Sequence, residues 1–229
     1  VNNPVVTISK NDQNLESIEE LLRLGTLTPY MARFLEAAVK SKLNILVCGN
    51  KNSGKRTLIN TLINFIPDNE RIVYTGTKEI ISNTKQMVLT DTMDVNTLEN
   101  LYPSYLIYVN KNIDTLLKLV NKSQGIIASF DIRKFTLDNL VTNVLLENPN
   151  MNHETVLASI YSGFDILVYM EKGNDNKIRV TGIKEITNQD QKNIFIYANN
   201  TFSFNKHNNN TYKKLKNMGI NTLDDIFGA

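Results

Sequence analysis

An apolar run of Leu43, Ile45, Leu46 and Val47 leads through Cys48 into Gly49. Four residues separate Gly49 from Gly54 and Lys55, and an amphipathic stretch with Leu58, Ile59, Leu62 and Ile63 follows. This is the strand, loop and helix order in which backbone N–H groups and a lysine cradle phosphate at a helix N-terminus. The candidate phosphate- or nucleotide-binding residues are therefore Gly49, Asn50, Lys51, Asn52, Ser53, Gly54, Lys55, Arg56 and Thr57. One position departs from the pattern. A serine or threonine belongs directly after the lysine, because its hydroxyl ligates Mg²⁺, and here that residue is Arg56. A guanidinium only donates and cannot ligate a metal. Thr57 comes one position late, which rotates it by roughly 100° around a helix. The loop is thus expected to hold phosphate without a metal ligand and without a catalytic residue.

Two further features bear on this loop. Asn50 and Asn52 lie in the loop, and asparagine tolerates left-handed φ better than most side chains, so the loop conformation is expected to survive. Arg56 has two readings: a permanent cation that takes over part of the metal's charge on a phosphate, or a solvated arginine at a decayed site.

The elements around the loop alternate. Residues 15–24 have helical spacing stopped by Gly25, and Thr28-Pro29 caps a second helix through Met31, Phe34, Leu35 and Val39. Strands are predicted near 1–10, 71–75, 86–90, 105–109 and 125–129, and helices at 113–120 and 135–146. Strands alternating with helices imply a mostly parallel sheet covered on both faces. From Ile166 the pattern turns β-rich: runs at 166–171 and 177–186 flank Gly173-Asn174-Asp175-Asn176, a hairpin signal. A third run covers 193–197, a polar loop is expected at 207–210, and a last short helix at 212–218. The expected division is 1–27 as the end of an upstream domain with a first helix, 28–165 as the P-loop core, and 166–229 as a small β-rich and helical C-terminal appendage.

Composition narrows the function classes. The 229 residues are 41% hydrophobic and 21% charged, enough for a sizeable core. The net charge of +2 gives no strong pull toward nucleic acid or anionic lipid. The single cysteine, Cys48, allows no internal disulfide, which fits the cytosol. His153 and His207 lie far apart with no metal-ligand spacing, and no apolar run has the length of a membrane span. Residue 1 is Val, so a fragment or trimmed chain is expected.

Several segments resemble one family. Residues 25–35 (Gly-Thr-Leu-Thr-Pro-Tyr-Met-Ala-Arg-Phe-Leu), 43–47, Asn60-Thr61-Leu62 and 66–73 (Ile-Pro-Asp-Asn-Glu-Arg-Ile-Val) resemble the Tad/CpaF-type pilus-assembly ATPases of the type II/IV secretion ATPase superfamily. The closing segments 212–220 and Leu223-Asp224-Asp225-Ile226-Phe227 are similar to that family's end. The resemblance implies an α/β, RecA-like P-loop domain with a central mostly parallel sheet. It also implies a motor that forms a hexameric ring at the cytoplasmic base of a secretion or pilus machine. Partners would be secretion or pilus platform proteins and an active ATPase paralogue, in a homo- or hetero-oligomeric ring. Nucleic acid and direct membrane insertion are not expected. The location would be cytoplasmic, peripheral at the inner face of the membrane.

The family's catalytic boxes are missing one by one. Its acidic pair falls on Gly76-Thr77, and its phosphate-reaching arginines fall near Leu89 and Met93. The Walker B strand matches Leu106-Ile107-Tyr108-Val109, followed by Asn110 in place of the catalytic glutamate. An amide takes no proton from water, and losing a general base typically lowers rate by about 10²–10⁴. The histidine box falls on Ser129-Phe130-Asp131, with Asp131 where histidine is expected. The implied cofactor is ATP or ADP, bound weakly and independently of Mg²⁺. Two readings follow: a degenerate family member with a structural or regulatory role, or an active ATP-hydrolysing motor using displaced residues. A GTPase reading of Asn110-Lys111-Asn112-Ile113-Asp114 fails because the aspartate arrives one residue late.

Overall fold

The computed structural model describes residues 17–76, 87–90, 94–109, 112–123, 125–187, 190–205, 210–221 and 223–224. Helices α1 (Ile18–Arg23) and α2 (Pro29–Lys40) precede strand β1 (Ile45–Gly49) and helix α3 (Lys55–Ile63). Then follow β2 (Ile72–Thr75), β3 (Met87–Thr90), α4 (Val95–Asn100), β4 (Tyr105–Tyr108), α5 (Ile113–Val120) and β5 (Ile126–Asp131). Two consecutive helices, α6 (Leu137–Glu147) and α7 (His153–Gly163), lead to β6 (Ile166–Lys172), β7 (Ile178–Thr187), β8 (Asp190–Ala198), β9 (Thr201–Phe204) and α8 (Asn210–Asn217).

Local chemistry sets the helix starts. Thr28 accepts the Met31 amide at 3.2 Å ahead of Pro29, so α2 begins where its sequence signature places it. Ser17, Asp94, Asn112, Thr136 and Asn152 cap α1, α4, α5, α6 and α7 in the same way. Helix α2 then buries Met31, Phe34, Leu35 and Val39, each contributing about 1.5–3 kcal/mol over an exposed position.

The nine strands form one sheet in the order β3-β2-β4-β5-β1-β6-β7-β8-β9. Pairing is parallel from β3 to β6 and antiparallel from β6 to β9. The β-rich part beyond Ile166 therefore continues the sheet of the P-loop core, with β6 seated beside β1. All five residues of β1 are buried, as a central parallel strand requires. Its side chains alternate: Ile45 and Val47 join the core under α1, α2, α3 and α8, while Leu46 and Cys48 join the core under α4 to α7.

The sheet is what brings the loop's neighbours together. β5 and β6 lie on either side of β1, in registers that place Asp131 and Met170 opposite Gly49. The expected strand over 1–10 falls outside the described residues. Helices α4 and α7 and strand β9 add to the predicted elements, and Asn210 starts α8 rather than ending a loop.

Candidate functional site

The loop after β1 is built by a few backbone constraints. Gly49 has φ +155°, and a Cβ added there would fall on the Met170 carbonyl and 2.5 Å from Ser53 Oγ. The Ser53 amide donates to the Asn50 carbonyl at 3.2 Å. Asn52 takes a left-handed φ of +61°, the conformation its residue type tolerates. Gly54 follows at φ +84° as the N-cap of α3.

That cap is where the phosphate reading acquires geometry. Gly54 has no side chain to accept a helix amide, and the first helical hydrogen bond runs from Leu58 N–H to Gly54 O at 3.0 Å. The amides of the first turn thus have no intrahelical acceptor and carry the positive end of the helix dipole. The six helices capped by serine, threonine, aspartate or asparagine differ in this respect.

Lys55 folds back over the end of β1. Its ammonium donates to Gly49 O at 3.1 Å, Asn50 O at 2.6 Å and Ser53 Oγ at 3.4 Å. It also pairs with Asp131 Oδ1 at 2.9 Å. The lysine side chain is 11% exposed and the aspartate 47%. Parallel register explains the meeting, because Asp131 is the partner of Gly49 at the ends of adjacent strands. Ile132 N–H donates to Gly49 O at 3.2 Å and pins the two chain ends together.

A cleft of about 700 Å³ opens over the loop, within the size range of small-ligand sites. Residues 51–57 line it, together with Val109, Ser129, Phe130, Asp131, Glu147 and Ile178. The cations are Lys51, Lys55 and Arg56, and the described carboxylates are Asp131 and Glu147. Of the predicted site residues, the structure gathers 51–57 around the cleft. Gly49 and Asn50 serve as backbone acceptors for Lys55. Cys48 is fully buried beneath the loop, and burial pushes its thiol well above the ordinary range, against the opposing pull of Lys55. It is a core residue.

The donor set does not fit a magnesium ion. Arg56 occupies the turn position where a hydroxyl would be needed and offers N–H groups only. Asp131 Oδ1 is engaged by Lys55. Phosphate oxygens, by contrast, suit the α3 amides, Lys55 and Arg56.

Most of the catalytic-box positions can be followed in the fold. Val109, at the end of the Walker B-like strand β4, reaches the cleft, whereas Asn110 lies outside the described residues. Thr77 and Met93 also lie outside them, while Leu89 projects from β3 with 54% exposure. Asp131 sits in the cleft. In the guanine-reading decoy, Asn112 accepts the Thr115 amide at 3.2 Å as a helix cap, and Asp114 pairs with Lys118 at 2.6 Å. Both side chains serve α5.

Residues 2–101 match the family of type II/IV secretion system proteins. The chain is 31% identical over 105 residues to a probable conjugal transfer protein TrbB of Sinorhizobium fredii, covering 44% of this chain and 32% of that one. It is 46% identical over 59 residues to the type IV secretion system protein VirB11 of Bartonella quintana, covering 26% and 17% respectively. The fold is similar to the crystal structure of the Brucella suis VirB11 ATPase, solved with sulphate, at TM-score 0.57 and 16% identity. That match covers 77% of this chain and 64% of the other. The alignments thus span a third or less of the curated relatives' length. The family match thus rests on residues 2–101, and the solved structure, at 16% identity, supports the fold.

Sequence reasoning missed the far wall of the site. Met170 and Ile178, from the β6–β7 hairpin, press on Gly49 and Gly54. The hairpin was legible, but its position against β1 is a matter of strand order. Glu147, the last residue of α6, also lines the cleft, a placement that its position in the sequence does not mark.

Proposed function

We propose that this chain is a degenerate secretion or pilus ATPase-family subunit, of the Tad/CpaF type, that binds phosphate groups at most and acts structurally or as a regulator. The carrying observation is the glycine-capped α3 N-terminus with Lys55 folded over it and Arg56 in the metal-ligand position. Such a site holds the phosphates of ATP or ADP weakly and gains nothing from Mg²⁺. The Brucella suis relative was solved with sulphate, a tetrahedral anion, which supports the same ligand chemistry here.

The partners in this reading are secretion or pilus platform proteins and an active ATPase paralogue, in a homo- or hetero-oligomeric ring. The chain resides in the cytoplasm at the inner face of the membrane, held by protein contacts. No described helix is long and apolar enough to cross a membrane. The names of the relatives, which come from conjugal transfer and type IV secretion, support a secretion setting.

Calorimetric titration with ATP and ADP, each with and without Mg²⁺, tests the ligand. Weak binding that is indifferent to the metal and absent in Lys55→Ala is expected. Tight binding that requires Mg²⁺ overturns the degenerate reading in favour of an active motor. Co-purification from the native cell tests the assembly role, which fails if the full-length protein emerges with neither a motor paralogue nor a platform protein.

A further inference from the structure

Resting on the phosphate-binding reading above, we infer that Asp131 is a built-in anionic competitor at Lys55, and that its charge sets which phosphate ligands the loop accepts. Lys55 has three N–H donors and four acceptors within reach: Gly49 O, Asn50 O, Ser53 Oγ and Asp131 Oδ1. A phosphate oxygen that binds the ammonium must replace one of them. Three are held in place by the fold. Gly49 O also receives Ile132 N–H at 3.2 Å, Asn50 O receives Ser53 N–H at 3.2 Å, and Ser53 is 1% exposed.

Asp131 is the exchangeable partner. Its side chain is 47% exposed at the end of β5, so release returns a carboxylate to water rather than burying it unpaired. The exchange has a second consequence. A carboxylate displaced from Lys55 remains tethered beside the incoming anion, because β5 is fixed to β1 through the Gly49 and Asp131 register. Like charges a few ångströms apart repel, and the repulsion grows with ligand charge. Asp131 therefore penalises pyrophosphate more than orthophosphate. Lys51 and Arg56 line the same cleft and supply the opposing attraction, while Glu147 adds to the penalty at its rim.

The test uses inorganic pyrophosphate and orthophosphate as probes, titrated calorimetrically into wild type, Asp131→Asn, Lys55→Ala and the double variant. Asparagine keeps the shape of the side chain and removes the charge. Asp131→Asn should tighten pyrophosphate binding by about tenfold, and orthophosphate by less. The gain should be smaller in the double variant, where no ammonium is released and only the carboxylate's repulsion is relieved. Thermal melting of each variant verifies folding, and Asp131→Ser carries the same test if the asparagine variant melts early. Unchanged or weaker pyrophosphate binding in Asp131→Asn, with binding still lost in Lys55→Ala, overturns the competitor role and leaves the phosphate site standing. A gain of the same size without Lys55 also overturns it, as a general surface-charge effect. No binding in any variant overturns the phosphate site itself.

Discussion

Gly49 and Met170 face each other at the ends of adjacent parallel strands so closely that a Cβ on Gly49 would fall on the Met170 carbonyl. The glycine is thus required twice, by its φ of +155° and by the neighbouring backbone. Neither obstacle is the end of a flexible side chain.

Replacing it follows directly. Gly49→Ala should destabilise the fold by roughly 2–4 kcal/mol, combining a strained φ with backbone overlap. It should also displace Ser53, whose Oγ lies 2.5 Å from the added carbon. Urea denaturation reads the stability change, and an unaltered midpoint would contradict the packing described for the loop.

Hydrolysis by the isolated chain should stay at background. In the proposed reading, Arg56 takes the metal-ligand position and Asn110 the base position. Turnover on the order of 1 s⁻¹, at the low end of ordinary enzymes, would contradict this if Lys55→Ala removed it. Arg56→Thr with Asn110→Glu should restore little, since Gly76-Thr77 and Asp131 still lack the acidic pair and the histidine.

Asn44 is a buried hub that the sequence pattern does not mark. Its side-chain amide donates to Gly163 O at 2.7 Å and Ser123 O at 3.0 Å, and its Oδ1 accepts the Ile126 amide at 2.9 Å. These bonds tie the start of β1 to the entries of β5 and β6. Asn44→Ala leaves several buried groups unpaired and should lower stability by about 2–4 kcal/mol. Thermal melting checks it, and a loss below the scatter of surface variants would show that water replaces the amide.

Tyr105 and Tyr108 should resist ionisation. Burial pushes both phenols up to about 12, from an ordinary value of about 10. Their hydroxyls donate to Val39 O at 2.9 Å and Asn112 O at 2.8 Å. Because the folded-state value is raised, the stabilisation is complete below pH about 10 and is lost as pH rises toward about 12. Each phenol costs the folded state about 1.4 kcal/mol for every pH unit it is held neutral against the unfolded chain. Tyrosinate absorbance near 295 nm from exposed phenols such as Tyr30 and Tyr102 should appear first, and that from Tyr105 and Tyr108 only with unfolding. Early titration of all nine tyrosines, with the fold intact, would contradict the burial.

Much of the fold was legible because local signals and global packing agree. The Thr28-Pro29 start of α2, the glycine spacing of the loop and the Asn-Asp-Asn hairpin after Gly173 each have a backbone reason that needs no distant partner. The loop's left-handed positions fell on Asn52 and Gly54 for the same reason. Helix α7 escaped because it buries only Val156, Ile160 and Gly163, too few to set a clear period. Strand β9 escaped because four residues carry little alternation.

By itself, the sequence determined a glycine-spaced loop between a strand and a helix, with Arg56 directly after Lys55, since both depend on residues close in the chain. Only the tertiary structure decided what surrounds it. Asp131 meets Lys55 because β5 pairs with β1 in one particular register, and Met170 and Ile178 wall the loop because β6 takes the other side. A shift of one residue in either pairing would turn those side chains to the opposite face of the sheet. Spacing along the chain does not encode that register. The packing of the two cores against the sheet does.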